Sequence, residues 1–229
     1  QRVLQAIGAY DDMARRAHQA PGYETRRNGV CVSFEKINGA NRFLLQTMTR
    51  QHLYSAIIAS AQREGIEIVT RSMAVGARPE GVLELAAGRS LKADLVIAAD
   101  GVRSTVRDSL RIPVARHKYQ DGIVRVLIDR APFIGGDWEH VIDFWAFQPR
   151  TLRILYAPCE DGKLYFAMMS PRDDEEASTL PINAAVWGSV FPMLVPALQT
   201  IGTRGRYDVY ETTRLARWSV GASPSSETQ

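Results

Sequence analysis

The residues best suited to chemistry lie at the end of one apolar run. Ala93–Ala99 is almost continuously apolar, which predicts a strand buried on both faces of a parallel sheet. Asp100 and Gly101 follow at its carboxyl end, where open α/β sheets bind their ligands. Because Gly101 lets the backbone turn closely, the pair predicts a ligand-binding turn.

The segment after this turn is basic and predicts a short helix. Ser104 can cap that helix, and Arg103 and Arg107 place two cations on one side, one turn apart. Such a place suits a phosphate-bearing ligand. A strand followed by Asp-Gly and a helix is also a common α/β connection, so the dipeptide alone leaves a purely structural role open.

The whole string around the turn narrows this choice. ADLVIAADGVRSTVR closely resembles the Asp-Gly motif of the flavoprotein aromatic hydroxylases, the family with the para-hydroxybenzoate hydroxylase fold. In that family the carboxylate and the turn face the ribose and pyrophosphate of FAD, and they shape the path of the reduced nicotinamide. The resemblance implies these cofactor-binding roles for Asp100, Gly101 and Arg103.

Two further positions gain a cofactor role from the same resemblance. Arg50 precedes a predicted helix in MTRQHLYSAI, where an arginine more often pairs with a carboxylate on the surface. In the hydroxylases, an arginine in an R-x-x-L-x-x-x-L setting reaches the FAD, and Arg50, Leu53 and Ile57 occupy these positions. The backbone near Ser72 resembles the part of the family that lies against the adenine.

The second half of the chain is similar to one subgroup, the pyridine-ring oxygenases of vitamin B6 breakdown. The matching strings include PGYETRRN, DGIVRVLI, FQPRTLRILYAPC, LYFAMMSP and RYDVYETTRL. In that subgroup, arginines and tyrosines on a sheet hold a hydroxypyridine carboxylate over the flavin ring. The resemblance implies substrate binding by Tyr23, Arg125, Arg153, Tyr165 and Tyr210, and a catalytic role for Tyr165 and Tyr210 among them.

The chemistry of these side chains fits such a role independently. An arginine on a strand can hold a carboxylate through two parallel hydrogen bonds, and a tyrosine offers both an apolar ring face and a hydroxyl. Each tyrosine taken alone is more simply explained as a core residue of the sheet.

The elements that must position these residues follow from the hydrophobic pattern. Gln51–Glu64 predicts a helix that Gly65 ends, followed by a strand at Ile66–Val69. The predicted buried face of this helix carries Leu53, Ile57, Ile58 and Ala61. Val30–Phe34 and Phe43–Met48 predict a hairpin around a turn at Asn38-Gly39.

The remainder reads as β-structure with a helical closure. Val82–Leu85 and Leu91–Lys92 predict a small meander. Four β-rich runs then predict an antiparallel sheet: Gly122–Asp129, His140–Phe147, Arg153–Ala157 and Lys163–Ser170. Pro181–Gln199 predicts a broken helical stretch in the core, and the acidic run Asp173–Glu176 a solvated loop.

Composition excludes several classes of function. The 229 residues are 45% hydrophobic and 23% charged, which is typical of a globular protein with a real core. Basic and acidic residues are interspersed at a net charge of +3, which argues against nucleic acid, and the absence of a long apolar run argues against a membrane span. The two cysteines and four histidines show no metal-ligand spacing, so we predict no metal site. Since no signal peptide is recognised either, we predict a cytoplasmic protein.

The ends of the chain lack two motifs of the hydroxylases. Arg2–Gly8 reads as the end of an amphipathic helix, and no GxGxxG follows a strand anywhere. At the other end, the polar tail 221–229 stands where the family continues into a Gly-Asp segment, and its composition predicts disorder. We therefore expect that the chain lacks an N-terminal part.

These observations predict a mixed α/β fold, in which a partial Rossmann-like FAD-binding domain accompanies an antiparallel-sheet substrate domain. Residues 1–20 and 46–112 are assigned to the first, and residues 21–45 and 113–220 to the second. The resemblance implies a monooxygenase that uses FAD, NAD(P)H and O2 to hydroxylate, and in the subgroup to ring-open, a small hydroxylated aromatic or pyridine carboxylate. A homo-oligomer is left open. The alternative is a truncated, flavin-free chain that is inactive or only a binding module.

Overall fold

The computed structural model describes residues 1–38, 44–160 and 162–221. By its internal packing the chain divides into two compact units. The first contains Gln1–Glu67 and Tyr119–Tyr210, and the second contains Ile68–Lys118 and Glu211–Gln229. The predicted division into a cofactor domain and a substrate domain remains a prediction, because the two units are defined by packing and not by what they bind.

The described residues form short helices apart from one of fourteen residues. The α-helices are α1 (Arg2–Ala6), α2 (Tyr10–Ala14), α3 (Arg50–Arg63), α4 (Thr105–Ser109), α5 (Glu175–Ser178), α6 (Ala184–Val190) and α7 (Val195–Leu198). Single 3-10 turns lie at Ala86–Gly88, Gly136–Glu139 and Pro192–Leu194.

The strands alternate with these helices along the chain. They are β1 (His18–Gln19), β2 (Gly22–Arg27), β3 (Val30–Lys36), β4 (Gln46–Thr47), β5 (Ala74–Arg78), β6 (Val82–Leu85), β7 (Ser90–Lys92), β8 (Val114–Asp129), β9 (Val141–Ala146), β10 (Leu152–Cys159), β11 (Lys163–Pro171) and β12 (Tyr207–Leu215). Helices and antiparallel sheets together confirm the predicted mixed α/β class.

A seven-stranded sheet dominates the first unit. Its order is β12-β8-β11-β10-β9-β2-β3. The four β-rich runs predicted from the sequence form its centre, where β8, β11, β10 and β9 pair antiparallel, while β2 adds parallel to β9. The β-branched and aromatic runs between Gly and Pro turns therefore predicted this part of the sheet correctly.

One face of this sheet is covered by the helices α5, α6 and α7. Trp187, Phe191 and Leu198 are fully or almost fully buried against alternate residues of the central strands, such as Phe144 and Phe166. The predicted closure of the sheet by 181–199 is confirmed, and Pro192 and Pro196 lie at the starts of its short helical pieces. The opposite face of the sheet is formed by the other alternate residues of the same strands.

The predicted helix 51–64 is confirmed as α3, and its buried face is shifted from the predicted one: Leu53 packs against the core as predicted, but Ile58 does not. Ala56 and Ser60 are buried, whereas Ile58 is 46% exposed. The reason is close packing, because α1 and the residues after it approach the small side chains. The Ser60 hydroxyl donates to the carbonyl of Ile7, and Ala56 packs against Met13.

The predicted hairpin between Val30–Phe34 and Phe43–Met48 is wrong in its pairing. Val30–Lys36 pairs instead with Gly22–Arg27, and the turn lies at Asn28 and Gly29, both with positive φ (47° and 82°). The chain contains two Asn-Gly pairs, and the first one forms the hairpin. Gly39 and Phe43 lie outside the described residues.

The second unit contains a three-stranded meander, β5-β6-β7, as predicted for its last two strands. Helix α4 lies on β5, where the Thr105 hydroxyl donates to the carbonyl of Ala74 and the Ser109 hydroxyl accepts from the N–H of Ala77. These bonds fix the helix that follows the Asp-Gly turn.

Two predicted strands, Ala93–Ala99 and Ile66–Val69, are absent from the sheets of the described residues. Leu95 is 74% exposed and Ile97 81%, so the prediction of a strand buried on both faces is wrong for this structure. An apolar run provides the side chains of a buried strand, but it becomes one only when neighbouring strands pair with it.

The acidic run Asp173–Glu176 is more ordered than the predicted solvated loop. Asp174 caps α5 by accepting from the N–H of Ala177, and Arg150 forms ion pairs with Asp174 and Glu176. None of the helices in the described ranges is long and apolar enough to cross a membrane.

Candidate functional site

The predicted substrate residues lie on the face of the large sheet that is opposite α5, α6 and α7. Neighbouring residues of paired strands point to the same face, and so do alternate residues of one strand. Arg125 is opposite Ala167 on β11, and Ala167 is opposite Leu155 on β10. Tyr165 lies two residues from Ala167, and Arg153 lies two residues from Leu155.

The row that contains Arg125 continues across two more strands. Leu155 is opposite Asp143 on β9, which is opposite Thr25 on β2. Tyr23 lies two residues before Thr25 and shares its face. With strands about 4.8 Å apart, Arg125 and Asp143 are separated by about 14 Å along this row.

Tyr210 projects to the same side from the edge strand β12. Its neighbour Tyr207 packs on the helix-covered core and donates to the carbonyl of Ser170 at 2.8 Å, and three positions along a strand reverse the face. Burial raises the pKa of Tyr210, while the positive charges of Arg125 and Arg153 oppose the rise. Tyr210 therefore lies within electrostatic reach of both arginines, and its hydroxyl keeps its proton at neutral pH.

We call this surface the arginine–tyrosine face. It is defined by Tyr23, Arg125, Asp143, Trp145, Arg153, Tyr165 and Tyr210. The fold thus brings together the five predicted substrate residues, which are spread over nearly the whole sequence. Their roles in substrate binding and catalysis remain predictions.

Arg153 already has a protein partner on this face. Its Nε donates to Oδ1 of Asp143 at 2.7 Å and its Nη2 donates to Oδ2 at 2.9 Å, which makes a two-point ion pair. The guanidinium carbon lies 4.4 Å from the ring centre of Trp145, and Nη1 approaches the sulfur of Met169 at 3.4 Å. The hydrogen bonds that Arg153 donates to Asp143 raise the pKa of Arg153.

Tyr23 joins the same pair. Its hydroxyl donates to Oδ2 of Asp143 at 3.2 Å. Burial and the adjacent Asp143 carboxylate both raise the pKa of Tyr23, so this hydroxyl remains a donor at neutral pH.

Arg125 differs from Arg153 in its surroundings. Its side chain is exposed, and no described residue forms an ion pair or a hydrogen bond with its guanidinium. A free guanidinium with its planar set of donors is suited to a ligand carboxylate.

Sequence reasoning missed Asp143 and Trp145. Asp143 is 4% exposed and stands in the string VIDFWA, where it is the one charged residue of strand β9. A carboxylate inside an apolar strand needs a partner when it is buried, and that requirement was the available signal. The identity of the partner depends on strand pairing, which the sequence does not reveal.

The Asp-Gly turn of the second unit has the predicted local form. Gly101 has φ +89°, a conformation that favours glycine. There is open space where a Cβ would lie, so the backbone angle and not a lack of room explains the glycine. Ser104 caps α4 by accepting from the N–H of Arg107 at 3.0 Å. Burial tends to raise the pKa of Asp100, but hydrogen bonds from the Ser104 hydroxyl and the Val106 N–H outweigh it and lower that pKa.

The predicted pair of cations beside this turn is reduced to one. Arg103 is exposed, but Arg107 is buried, and its guanidinium donates to the carbonyl of Val102 and to Asp108. Arg107 therefore stabilises the turn from within. Only Arg103 of the two presents its charge to solvent.

The other predicted cofactor residues occupy separate places. Arg50 is the exposed first residue of α3 in the first unit, after the cap Thr49, which accepts from the N–H of His52. Ser72 lies in the second unit, and its hydroxyl donates to the carbonyl of Thr70 at 3.3 Å.

A cavity of about 490 Å³ lies within the first unit. Tyr165 and Cys159 line it from the sheet, and apolar side chains such as Leu4, Met13 and Leu53 line it from the helices. Neither Cys31 nor Cys159 forms a disulfide bond, and the described residues contain no cluster of three or more metal-ligating side chains.

The family model described as "FAD binding domain" matches residues 2–186, which is most of the chain. Among solved structures, the tetrameric form of 2-methyl-3-hydroxypyridine-5-carboxylic acid oxygenase is similar, with 41% identity and a TM-score of 0.86. That match covers 96% of this chain and 60% of the other.

Curated relatives are similar over the same extent. A probable 2-heptyl-3-hydroxy-4(1H)-quinolone synthase of Rhodococcus erythropolis is 33% identical, and a 3-amino-4-hydroxybenzoate 2-monooxygenase of Streptomyces platensis is 27% identical. Each match covers 96% of this chain and 58% of the relative, so the chain spans less than two thirds of these relatives. The resemblance read from the sequence is confirmed, and the chain belongs to the FAD binding domain family of flavin-dependent monooxygenases.

Proposed function

We propose that the protein uses FAD and NAD(P)H with O2 to hydroxylate a small aromatic or N-heteroaromatic acid that carries a ring hydroxyl. The observation that supports this proposal most is the gathering of two arginines and three tyrosines on one face of the sheet. Relatives named for hydroxypyridine-carboxylate, quinolone and aminohydroxybenzoate chemistry support the choice of a small ring.

The Asp-Gly turn has features that fit a dinucleotide. The lowered pKa of Asp100 keeps its carboxylate charged, and a carboxylate accepts hydrogen bonds from ribose hydroxyls. Arg103 offers an exposed charge suited to phosphate, and Gly101 lets a ligand approach the backbone closely. We propose that these three residues hold FAD, together with Arg50 and Ser72. When bound and reduced, FAD would supply the activation of O2.

The residues of the arginine–tyrosine face would bind and orient the ring. Arg125 and Arg153 supply positive charge for the acid group, and Ala167 and Leu155 provide an apolar floor between them. We propose that the hydroxyls of Tyr165 and Tyr210 hydrogen-bond the ring hydroxyl. Because its pKa is raised, Tyr210 remains protonated at neutral pH and can donate to a substrate oxygen that carries negative charge.

The test is substrate-dependent turnover in the flavin-loaded protein. NADH or NADPH oxidation and O2 uptake should rise when a hydroxylated ring acid is added, with formation of a hydroxylated or ring-opened product. Arg125→Ala should weaken acid binding by about one to two decades, because a charge-assisted hydrogen bond is worth about 1.5–3 kcal/mol.

Arg172→Ala is the matched control, since Arg172 is an exposed arginine in the turn just beyond β11 and is not one of the residues of the arginine–tyrosine face. It should bind the acid as the wild type does. If the protein binds no flavin and oxidises no nicotinamide, the proposal is wrong and an inactive or purely binding role is favoured.

A further inference from the structure

The two arginines of the arginine–tyrosine face stand in different electrostatic situations. We propose that Asp143 is a positioning residue that commits Arg153 to the sheet and leaves Arg125 as the anchor of the substrate's acid group. This inference rests on the proposed function, because it divides between two residues a role that was there given to both.

The first support is the geometry of the ion pair. Both oxygens of Asp143 receive donors from Arg153, at 2.7 and 2.9 Å, and Oδ2 also receives the Tyr23 hydroxyl at 3.2 Å. Asp143 is 4% exposed, so removing its partner would leave a buried charge uncompensated. Arg153 therefore commits its charge and two of its donors to the protein.

The second support is the packing of the guanidinium. Its carbon lies 4.4 Å from the ring centre of Trp145, and its Nη1 faces the sulfur of Met169. Stacking on an aromatic ring and pairing with a carboxylate hold the planar group in one orientation. Arg153 thus serves as part of the surface on which a ring can lie.

The third support is the contrast with Arg125. It lies on β8, two strands from Arg153, and Ala167 and Leu155 occupy the row between Arg125 and Asp143. A separation of about 14 Å prevents Asp143 from pairing directly with Arg125. The charge of Arg125 consequently remains available to a ligand carboxylate.

The ion pair between Asp143 and Arg153 predicts that one substitution can rescue another. Asp143→Asn keeps the side-chain shape but removes the charge that compensates Arg153. Without the negative charge of Asp143, Arg153 should become a second cation that is available to the substrate. Asp143→Asn should therefore partly rescue the acid binding that Arg125→Ala removes. A purely structural Asp143 would instead add to the defect.

The experiment titrates flavin-loaded variants with 2-methyl-3-hydroxypyridine-5-carboxylate and with 2-methyl-3-hydroxypyridine, following the flavin spectrum. The ratio of the two affinities measures acid preference. Arg125→Ala should lower this ratio by about tenfold or more, and Arg125→Ala combined with Asp143→Asn should raise it again severalfold. A double variant no better than Arg125→Ala would overturn the inference.

A second variant keeps the test decisive if Asp143→Asn does not fold. Replacing both partners, as Arg153→Met with Asp143→Asn, removes the pair without leaving a buried charge, which is often tolerated. This double variant should keep clearly more acid preference than Arg125→Ala keeps, since Arg125 is intact. A loss as large as that of Arg125→Ala would contradict the assignment of the anchor.

A substrate-free measurement separates this inference from the proposed function. If Asp143 positions Arg153, then Asp143→Asn should change the tryptophan emission, and the change should vanish in a Trp145→Phe background. Unchanged emission would sink the positioning role. A wild-type protein without any acid preference, but with this emission change, would place the failure in the proposed substrate class.

Discussion

At the scale of single residues, Glu24 on β2 forms a two-point ion pair with its neighbour Arg26. Arg26 donates to both of its oxygens, at 2.6 and 3.0 Å, and Arg26 also pairs with Asp137 at 2.7 Å. The hydrogen bonds from Arg26 lower the pKa of Glu24, although burial opposes them. The carboxylate of Glu24 is therefore more stable in the folded protein than in the unfolded chain.

This shift predicts a pH dependence of stability. A lowered pKa in the folded state stabilises the protein above the unfolded pKa of about 4.3, and the stabilisation is lost as pH falls through the folded pKa. The free energy of unfolding should therefore drop less between neutral and acid pH in Glu24→Gln than in the wild type. Urea unfolding at a series of pH values measures this pH dependence.

Glu35→Gln, an exposed change on the neighbouring strand, is the control and should follow the wild type. The same pH dependence in the wild type, Glu24→Gln and Glu35→Gln would refute the prediction.

At the scale of elements, helix α4 depends on its cap because it is only five residues long. Ser104 accepts from the N–H of Arg107, and its hydroxyl also bonds Asp100. Ser104→Ala should lower the free energy of unfolding by about 0.5–2 kcal/mol, the usual cost of losing such a cap. Chemical denaturation measures this loss. Ser104→Thr keeps the capping oxygen and should recover most of it, whereas equal losses in both variants would assign the effect to packing.

At the scale of the whole molecule, the large sheet is held by the helices on one of its faces. Trp187 is fully buried in that core, and its Nε1 donates to the carbonyl of Ala177 at 3.2 Å. Trp187→Ala should lower the free energy of unfolding by about 3–5 kcal/mol through the lost contacts and the cavity left behind. Trp187→Phe, which keeps most of the volume, should lose clearly less in the same thermal or urea unfolding assay. Similar losses would mean that the hydrogen bond matters more than the packing.

The sequence by itself determined the features that depend on neighbours along the chain. The helix at Arg50–Arg63, the capped turn from Asp100 to Ser104 and the four central strands of the large sheet follow from periodicity, glycine positions and capping residues. These patterns act within a few residues, so a single sequence reveals them. The family resemblance added the list of arginines and tyrosines.

The tertiary structure decided what depends on residues far apart in the chain. It chose Asn28 over Asn38 for the hairpin, left Leu95 exposed, and turned α3 so that small residues face inward. It also placed Asp143 beside Arg153. A periodic pattern specifies which side of a strand a residue occupies but not which strand lies next to it, and pairing across strands is what brings two charges within hydrogen-bonding distance.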